Sequence, residues 1–349
     1  MDVQFANRSF EQPLAPALTD NRSSFGVVPG LMWAFKIHDD GSAEPLPNGQ
    51  PIERHQDGWL WLHLDLSNVQ AGHWLSTVEL PAEAVATMLS RDRHQQLHAK
   101  DSFIYGIFAD LVRGIDKVTD EVGHLRFIMT DRMLISGRHH ALASAESARI
   151  AIETGRCKLP HVAALLEMIV EHVADGIDTI ADRLATDLDR IENILAERAA
   201  GFEQKTLSTV RRTSVRLHRQ LSGLRVVFHR LERQGTDNLP RELRVGASKL
   251  AQRLDDLDHG ILEIRERGHR LQEEVSFTMG EQTNRHLYIL SVLTTLILPP
   301  TLITGIFGMN TKGLPLTDVE TGFLWAMALV AGSSAAVYLL MRQIGVFKL

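Results

Sequence analysis

The sequence contains one cysteine, Cys157, in 349 residues. A single thiol excludes an internal disulfide and a zinc site built from several thiolates, so the chain fits a reducing compartment. The first residues, MDVQFANRSFEQPLAP, lack a basic start followed by an apolar core. We therefore expect no secretory signal, and we expect the soluble part to stay on the side of the membrane where it is made.

Motifs of several enzyme classes are also missing. The sequence has no phosphate-binding glycine loop, paired-histidine metalloprotease motif or nucleophile elbow at a convincing position. We predict that the protein is not an enzyme. A nucleic-acid partner is not expected either, because the one arginine-rich helix is preceded by an acidic helix that should offset its charge.

Charge is absent from two runs of twenty residues, Leu287–Ile306 and Gly322–Met341. An uncharged run of about 18 or more residues matches roughly 30 Å of hydrocarbon when it is helical. Basic residues such as Arg285 and Arg342 flank the two runs, whereas the segment between them holds one basic residue, Lys312. The pattern predicts a two-helix transmembrane hairpin with both termini cytoplasmic and a short outer loop.

The rest of the chain divides into two sections. Between Leu31 and about Ile150, short apolar runs such as GWLWLHLDLS alternate with polar turns and helix-like pieces, which predicts an α/β domain. From His161 the apolar period becomes helical. An acidic helix and an arginine-rich helix follow, and we expect them to pack as antiparallel partners joined near Gly201.

A third long helix begins after Pro240 and reaches the first uncharged run without a stop signal. Its apolar residues recur with heptad-like spacing: Leu250, Leu254, Leu257, Ile261, Ile264, Leu271 and Val275. At 1.5 Å per residue, a helix from Pro240 to Ile306 would be roughly 100 Å long. A helix of this length with an apolar seam needs neighbouring helices, and further copies of the same chain can provide them. We therefore predict an oligomeric stalk.

One face of the first uncharged run carries hydroxyl groups and small residues. Steps of about 3.6 residues from Asn284 reach Leu287, Ser291, Thr294, Leu298, Thr301, Gly305 and Gly308. A narrow polar stripe on one of several identical helices can line a pore. Serine and threonine also pack against neighbouring helices in membranes, so the stripe alone leaves both interpretations open.

The segment TNRHLYILSVLTTLILPPTLITGIFGMN, followed by a short loop, one more span and a basic C-terminus, resembles the CorA superfamily of divalent-cation transporters. The hallmark of that superfamily is a Gly-Met-Asn triplet at the end of the first of two C-terminal spans. The loop GMNTKGLP is most similar to the zinc-transporter (ZntB) branch, since the magnesium branch more often has an acidic loop and an aromatic residue after the asparagine. Either resemblance implies a homopentameric funnel whose pore is made by the first span.

The fold class predicted from these observations is α+β: an N-terminal cytoplasmic α/β domain, a long helical stalk and a C-terminal two-helix transmembrane hairpin. The expected location is the bacterial inner membrane. The predicted boundaries are 1–160 for the α/β domain, 161–286 for the long-helix and stalk region, 287–306 for the first span, 307–321 for the outer loop, 322–341 for the second span and 342–349 for the basic cytoplasmic C-terminus.

The resemblance implies that Gly308, Met309 and Asn310 form the outer mouth of the pore. A divalent cation gives up its water reluctantly. Five neutral amide oxygens from Asn310 could instead hydrogen-bond the water shell of the ion, which is selective and yet weak enough for release. Glycine lets the backbone turn without narrowing the mouth, and Met309 is expected to pack the ring. A helix-terminal cap is the alternative role for Asn310.

Deeper positions follow from the same resemblance. Asn284 matches the asparagine at the cytoplasmic pore entrance, and Thr301 matches a pore-lining threonine. Leu287 and Leu298 match hydrophobic constrictions, which can stop hydrated ions by dewetting, although interhelical packing would also explain leucines there. Glu273, on the same face and nearer the cytoplasm, could add a negative ring that attracts cations.

We predict no prosthetic group and a transported divalent cation, with zinc first and magnesium, cobalt and nickel as alternatives. Proton coupling and a magnesium/cobalt channel stay open within the transport class, and a membrane-anchored scaffold or sensor is the alternative outside it. Asp255 and His259, one helical turn apart, are candidate metal ligands. Two features depart from the family pattern: a second proline, Pro300, after Pro299, and Lys312 in place of a loop glycine.

Overall fold

The computed structural model describes residues 24–54, 57–100, 102–114, 118–197, 204–233, 241–309 and 321–344. The chain forms two compact units, and the division between them falls between His269 and Arg270.

The first unit contains a mixed seven-stranded sheet in the order β3-β2-β5-β9-β8-β7-β6. Its strands are β2 (Leu31–Ile37), β3 (Ala43–Leu46), β5 (Trp59–Asp65), β6 (Gln96–Lys100), β7 (Phe103–Arg113), β8 (Val118–Met129) and β9 (Met133–Arg138). Strands β5 and β9 run parallel, and the other neighbours are antiparallel. Strands β1 (Ser24–Val27) and β4 (Pro51–Glu53) form a separate antiparallel pair.

The central position of β5 follows from its sequence, WLWLHLD. Every residue of this strand except Asp65 is buried, as expected for a strand covered on both faces. His63 is fully buried with the apolar residues; its Nδ1 atom lies 2.8 Å from the Ser136 hydroxyl, and its ring stacks on Trp33. Helices α1 (Val69–Thr77), α2 (Ala82–Leu89) and α3 (Ala143–Glu153) complete the α/β part, which confirms the predicted fold class.

Three long helices follow the α/β part: α4 (Val162–Ala196), α5 (Gln204–Arg233) and α6 (Arg241–Phe307). Their predicted apolar stripes are buried, for example Ile177 in α4, Leu217 in α5 and Leu254 in α6. Helices α4 and α5 are in contact. A 67-residue α6 that runs past the end of the first unit confirms the absence of a stop before the first span.

The described ion pairs that link the acidic face of α4 to another helix are with α6, whereas the sequence led us to expect α5 as the basic partner. Glu171 pairs with Lys249 at 3.3 Å, and Asp175 pairs with Arg253. The guanidinium of Arg267 lies 2.5 Å from carboxylate oxygens of both Asp189 and Glu192. The sequence shows that α4 is acidic, so a basic helix was expected beside it. Both α5 and α6 carry basic residues, and the sequence does not show which of them pairs with α4.

A second polar network joins α5 to α6 and includes Asp258, whose side chain lies on the buried stripe of α6 and is 3% exposed. Its carboxylate accepts from Arg225 and lies 2.7 Å from the His218 Nδ1 atom. The sequence analysis missed this residue. Its position four residues after Leu254 and three before Ile261 was the available signal, because a charge on an apolar stripe requires a partner.

The second unit contains the end of α6 and helix α7 (Gly322–Gln343). Both helices are long and apolar enough to cross a membrane, and no residue in the most apolar stretch of either one is buried. The predicted runs 287–306 and 322–341 lie within these helices.

Asp110 of β7 is a buried carboxyl group in the first unit. Its Oδ1 atom accepts a hydrogen bond from the Leu111 backbone N–H at 2.6 Å and from the Ser144 N–H at 3.4 Å. Burial raises the pKa of Asp110 to about 6, and the hydrogen bonds offset part of that effect. The folded protein therefore holds this proton more tightly than the unfolded chain does.

We expect Asp110→Asn to change the pH dependence of stability. Because the folded-state pKa is raised, the contribution of Asp110 is most favourable below about pH 4 and is lost as the pH rises through about 6. The stability of Asp110→Asn relative to the parent should rise by on the order of 3 kcal/mol between pH 4 and pH 7. Denaturation of the full chain in detergent across this range measures the difference. Asp178→Asn, an exposed change on α4, is the control, and a pH-independent difference for Asp110→Asn would contradict the assignment.

Candidate ion pathway

Helix α6 stays α-helical through Pro299 and Pro300. Proline has no backbone N–H, so the carbonyl groups of Thr295 and Leu296 lose their i→i+4 donors. The helix assignment nevertheless runs without interruption to Phe307. The second proline therefore does not unwind the helix.

Two stripes of half-buried residues mark how the helices of the second unit pack. On α6 they are Tyr288, Val292, Leu296, Pro299, Pro300, Ile303 and Phe307. On α7 they are Gly322, Ala326, Val330, Ser333 and Val337, and the buried Met341 continues the stripe. Each stripe steps by three or four residues and so follows one helix face. We infer that the two stripes face each other within the unit.

The face of α6 predicted to line a pore is opposite the half-buried stripe of the same helix. At 100° per residue, its centre is about 150° from the centre of the half-buried stripe. The residues predicted for this face are all exposed in the single chain: Asn284, Leu287, Ser291, Thr294, Leu298, Thr301 and Gly305. Leu287 is 57% exposed and Leu298 is 65% exposed. A surface this apolar inside an uncharged segment requires a covering neighbour, either lipid or another copy of the chain.

The hydroxyl groups on this face present acceptors rather than donors. Thr294 Oγ1 donates to the Leu290 carbonyl at 2.8 Å, and Thr301 Oγ1 donates to the Ile297 carbonyl at 2.8 Å. With the hydroxyl proton used inside the helix, each oxygen keeps a lone pair for an outside donor. Such acceptors suit a cation or the water molecules that surround it.

The C-terminal end of α6 closes with two short-range hydrogen bonds. The Gly308 N–H donates to the Thr304 carbonyl at 2.9 Å, and the Met309 N–H donates to the Ile306 carbonyl at 3.2 Å. A Cβ atom at residue 308 would lie 3.1 Å from the Thr304 carbonyl oxygen, so glycine suits this tight end. Met309 is 55% exposed.

Asn310 and Lys312 lie outside the described residues, so the mouth assigned to Asn310 stays a prediction. At the other end of the pathway, Glu273 is exposed in the second unit.

Metal ligands of the usual cluster type do not occur in the described part of the chain, where no three His, Cys, Asp or Glu side chains converge. The geometry also argues against the Asp255–His259 pair. The Nδ1 atom of His259 lies 2.8 Å from the Asp255 backbone carbonyl, and the Asp255 carboxylate is held by Arg225 and His229. The described polar atoms of the predicted pore face are therefore neutral hydroxyl, amide and carbonyl groups.

Similar proteins of known sequence cover most of the chain. The divalent cation transporter CmaX of Pseudomonas aeruginosa is 26% identical over 330 residues, which are 90% of this chain and 96% of the relative. The zinc transport protein ZntB of Yersinia enterocolitica is 27% identical over 271 residues, which are 75% of this chain and 80% of that protein. The predicted resemblance to the superfamily and its ZntB-like branch is confirmed.

Solved structures agree with these matches. The structure of full-length CmaX has a TM-score of 0.75 at 25% identity and covers 90% of this chain and 97% of its own. The CorA magnesium transporter of Methanocaldococcus jannaschii has a TM-score of 0.71 at 20% identity, with 89% and 96% covered, and supports the fold. Residues 56–343 match the family described as CorA-like Mg2+ transporter protein, and because this match spans most of the sequence, the chain belongs to that family.

Proposed function

We propose that this protein conducts zinc, as a hydrated divalent cation, through a central pore lined by α6 from five copies of the chain. The observation that carries the proposal is the exposed face of α6, opposite the half-buried stripe, where Ser291 and Thr294 lie between Leu287 and Leu298 and Thr301 lies beyond Leu298. Five copies of this face would enclose a column of hydroxyl oxygens interrupted by two leucine rings. Family membership supports divalent-cation transport in general.

The mechanism follows from the neutrality of these groups. A carboxylate or imidazole ring would coordinate bare metal and hold it, whereas hydroxyl and amide oxygens can hydrogen-bond to the water shell. An ion that keeps its water pays little dehydration cost on entering and leaves easily. The leucine rings would close the pore. Water leaves a narrow apolar ring, so a hydrated ion meets a high energy barrier there.

Zinc is proposed as the cargo on the similarity of the loop GMNTKGLP to the zinc-transporter branch and on the ZntB relatives. Magnesium is the second candidate, favoured by the family description. Reconstituted protein in liposomes with a metal-sensitive dye, tested with zinc and with magnesium under imposed pH gradients, separates the two ions. The same assay detects proton coupling. Absence of flux for every divalent ion would favour a scaffold or sensor and overturn the proposal.

Cytoplasmic termini, location in an inner membrane and a five-fold assembly belong to the same proposal. The basic residues flanking the spans, among them Arg285 and Arg342, support the orientation. The mass of the detergent-solubilised complex, measured by light scattering or native mass spectrometry, tests the number of copies. A monomer would remove the pore, because one copy of α6 cannot enclose a channel.

We expect Asn310→Ala to abolish most divalent flux and to leave assembly intact. The variant removes the amide oxygen that we propose binds the hydrated ion. We expect the flux to fall at least about tenfold, which corresponds to the loss of one interaction of about 1.4 kcal/mol in each transport step. Flux into liposomes and the mass of the complex are the two measurements. Met309→Leu is the matched control and should retain flux. Unchanged flux in Asn310→Ala would show that the mouth lies elsewhere.

We expect Leu298→Ser to create a leak that does not depend on metal concentration. A ring of hydroxyl groups lets water enter a constriction that leucine keeps dry. The matched control is Leu293→Ser: Leu293 is 52% exposed but lies on a different face of α6, so its change should leave the leak at the level of the parent. Conductance in planar bilayers reports both variants. Equal leak in the two variants would mean that Leu298 is not in the constriction.

A further inference from the structure

A polar cleft lies in the first unit between the sheet and helix α5. Its walls are the segment around His94 and Gln95, Ala109 of β7, Val122 of β8 and one face of α5. The cavity volume is about 760 Å³, within the range of roughly 300 to 1,000 Å³ typical of small-molecule sites. The proposed ion pathway in the second unit does not use these residues.

The cleft is strongly basic. Among the described residues that line it, four are arginines, Arg93, Arg212, Arg216 and Arg219, and one is a carboxylate, Glu121. His94 and His124 also line the cleft. Burial, together with the neighbouring Arg126, lowers the pKa of His124, so this ring is a neutral hydrogen-bonding group near pH 7 and the positive charge comes from the guanidinium groups.

The charge on α5 follows from how the long helices pair. Glu171, Asp175 and Asp189 of α4 pair with Lys249, Arg253 and Arg267 of α6 rather than with arginines of α5. Arg225 of α5 pairs with Asp255 and Asp258 of α6. Within the part of the chain that the structure describes, Arg212 and Arg219 form no ion pair.

Gln220 provides a second and independent sign of a ligand. Its side chain lines the cleft and is buried, with 3% of the residue exposed. Neither its Oε1 nor its Nε2 atom has a hydrogen-bond partner among the described residues. The neighbouring Gln95 is satisfied: its Nε2 donates to the Gln220 backbone carbonyl at 2.9 Å, and its Oε1 accepts from the Ala109 N–H at 3.2 Å.

Gly223 allows this arrangement, since a Cβ atom there would lie 2.3 Å from the Gln95 Nε2 atom. Gln95 therefore closes one wall and leaves the amide of Gln220 free to serve a bound molecule. Buried polar groups are almost always paired, and a ligand oxygen or N–H would complete this pair.

We propose that the cleft binds a small molecule that carries two or three linked phosphate groups. Arg212 and Arg219 share one face of α5 and lie seven residues apart, about 10 Å along the helix axis. A chain of linked phosphates spans this distance, so each guanidinium can bind a phosphate of its own. Guanidinium groups match phosphate oxygens in a bidentate fork, and the Gln220 amide can bond to a terminal oxygen or to the uncharged part of the molecule.

Calorimetric titration of the full-length protein in detergent tests the proposal. The probes are ATP, inorganic triphosphate, inorganic phosphate and adenosine, all in the presence of EDTA so that metal complexes do not contribute. We expect saturable binding of ATP and triphosphate, weaker binding of phosphate and none of adenosine. Stronger binding of ATP than of triphosphate would identify a nucleotide, and equal binding would identify the phosphate chain as the recognised group.

Variants locate the site. The double variant Arg212→Ala with Arg219→Ala should weaken triphosphate binding by at least about tenfold, and Gln220→Leu should weaken it by a few-fold. The matched control is Arg211→Ala with Arg230→Ala, which removes the same charge from α5 outside the cleft. No saturable binding of any phosphate probe, or equal losses in the two double variants, would overturn the proposal. Transport assays are not involved, so its failure is distinct from failure of the proposed pore.

Discussion

Backbone hydrogen bonding in an uncharged segment constrains the whole second unit. A chain in hydrocarbon must satisfy its polar backbone groups internally, which is why both uncharged runs are helical. Pro299 and Pro300 break this rule locally, since two carbonyl groups lose their donors. Those carbonyls, of Thr295 and Leu296, lie between Thr294 and Thr301, the stretch where the hydroxyl groups of α6 concentrate. Leu296 belongs to the half-buried stripe opposite the predicted pore face, so its carbonyl needs a donor other than water in the proposed pathway.

In the first unit, α6 carries charged residues, and these form ion pairs with neighbouring helices. Ion pairs between α4 and α6 follow one another over several turns, from Glu171–Lys249 to Glu192–Arg267. Lys249 is 79% exposed, and pairs of this kind contribute only about 0 to 1 kcal/mol each. Their main effect is on register, while the buried apolar stripes supply most of the stability. Asp258 acts differently. Arg225 and His218 stabilise its buried charge, and any other alignment of α5 with α6 would leave that charge unpaired at a high cost in free energy.

Periodicity explains why much of the architecture could be predicted. The run WLWLHLD could only be a buried strand, and the uncharged runs could only be buried or membrane helices. Pairing could not be predicted in the same way. The parallel contact of β5 with β9 joins strands far apart in sequence, and the acidic residues of α4 had two possible basic partners. The burial of Asp110 and Gln220 depends on those contacts, so neither residue could be singled out beforehand. The predicted pore face of α6 could be derived from spacing, whereas its position opposite the stripe that faces α7 required the structure.

Neutral oxygen ligands also limit how such a pathway can distinguish metals. Zinc prefers nitrogen and sulfur donors, and magnesium prefers oxygen, but that difference matters only for an ion that has lost its water. On the described face of α6, Thr294 and Thr301 offer hydroxyl oxygens and Leu298 offers none, so in the proposed pathway a hydrated zinc ion and a hydrated magnesium ion would meet the same groups. Discrimination must then come from the strength with which each ion holds its water as it passes the narrow points, and from the charge at the outer mouth. A change from one cargo to the other would therefore require few substitutions, concentrated at the leucine rings and in the loop after Met309 rather than along the hydroxyl stripe.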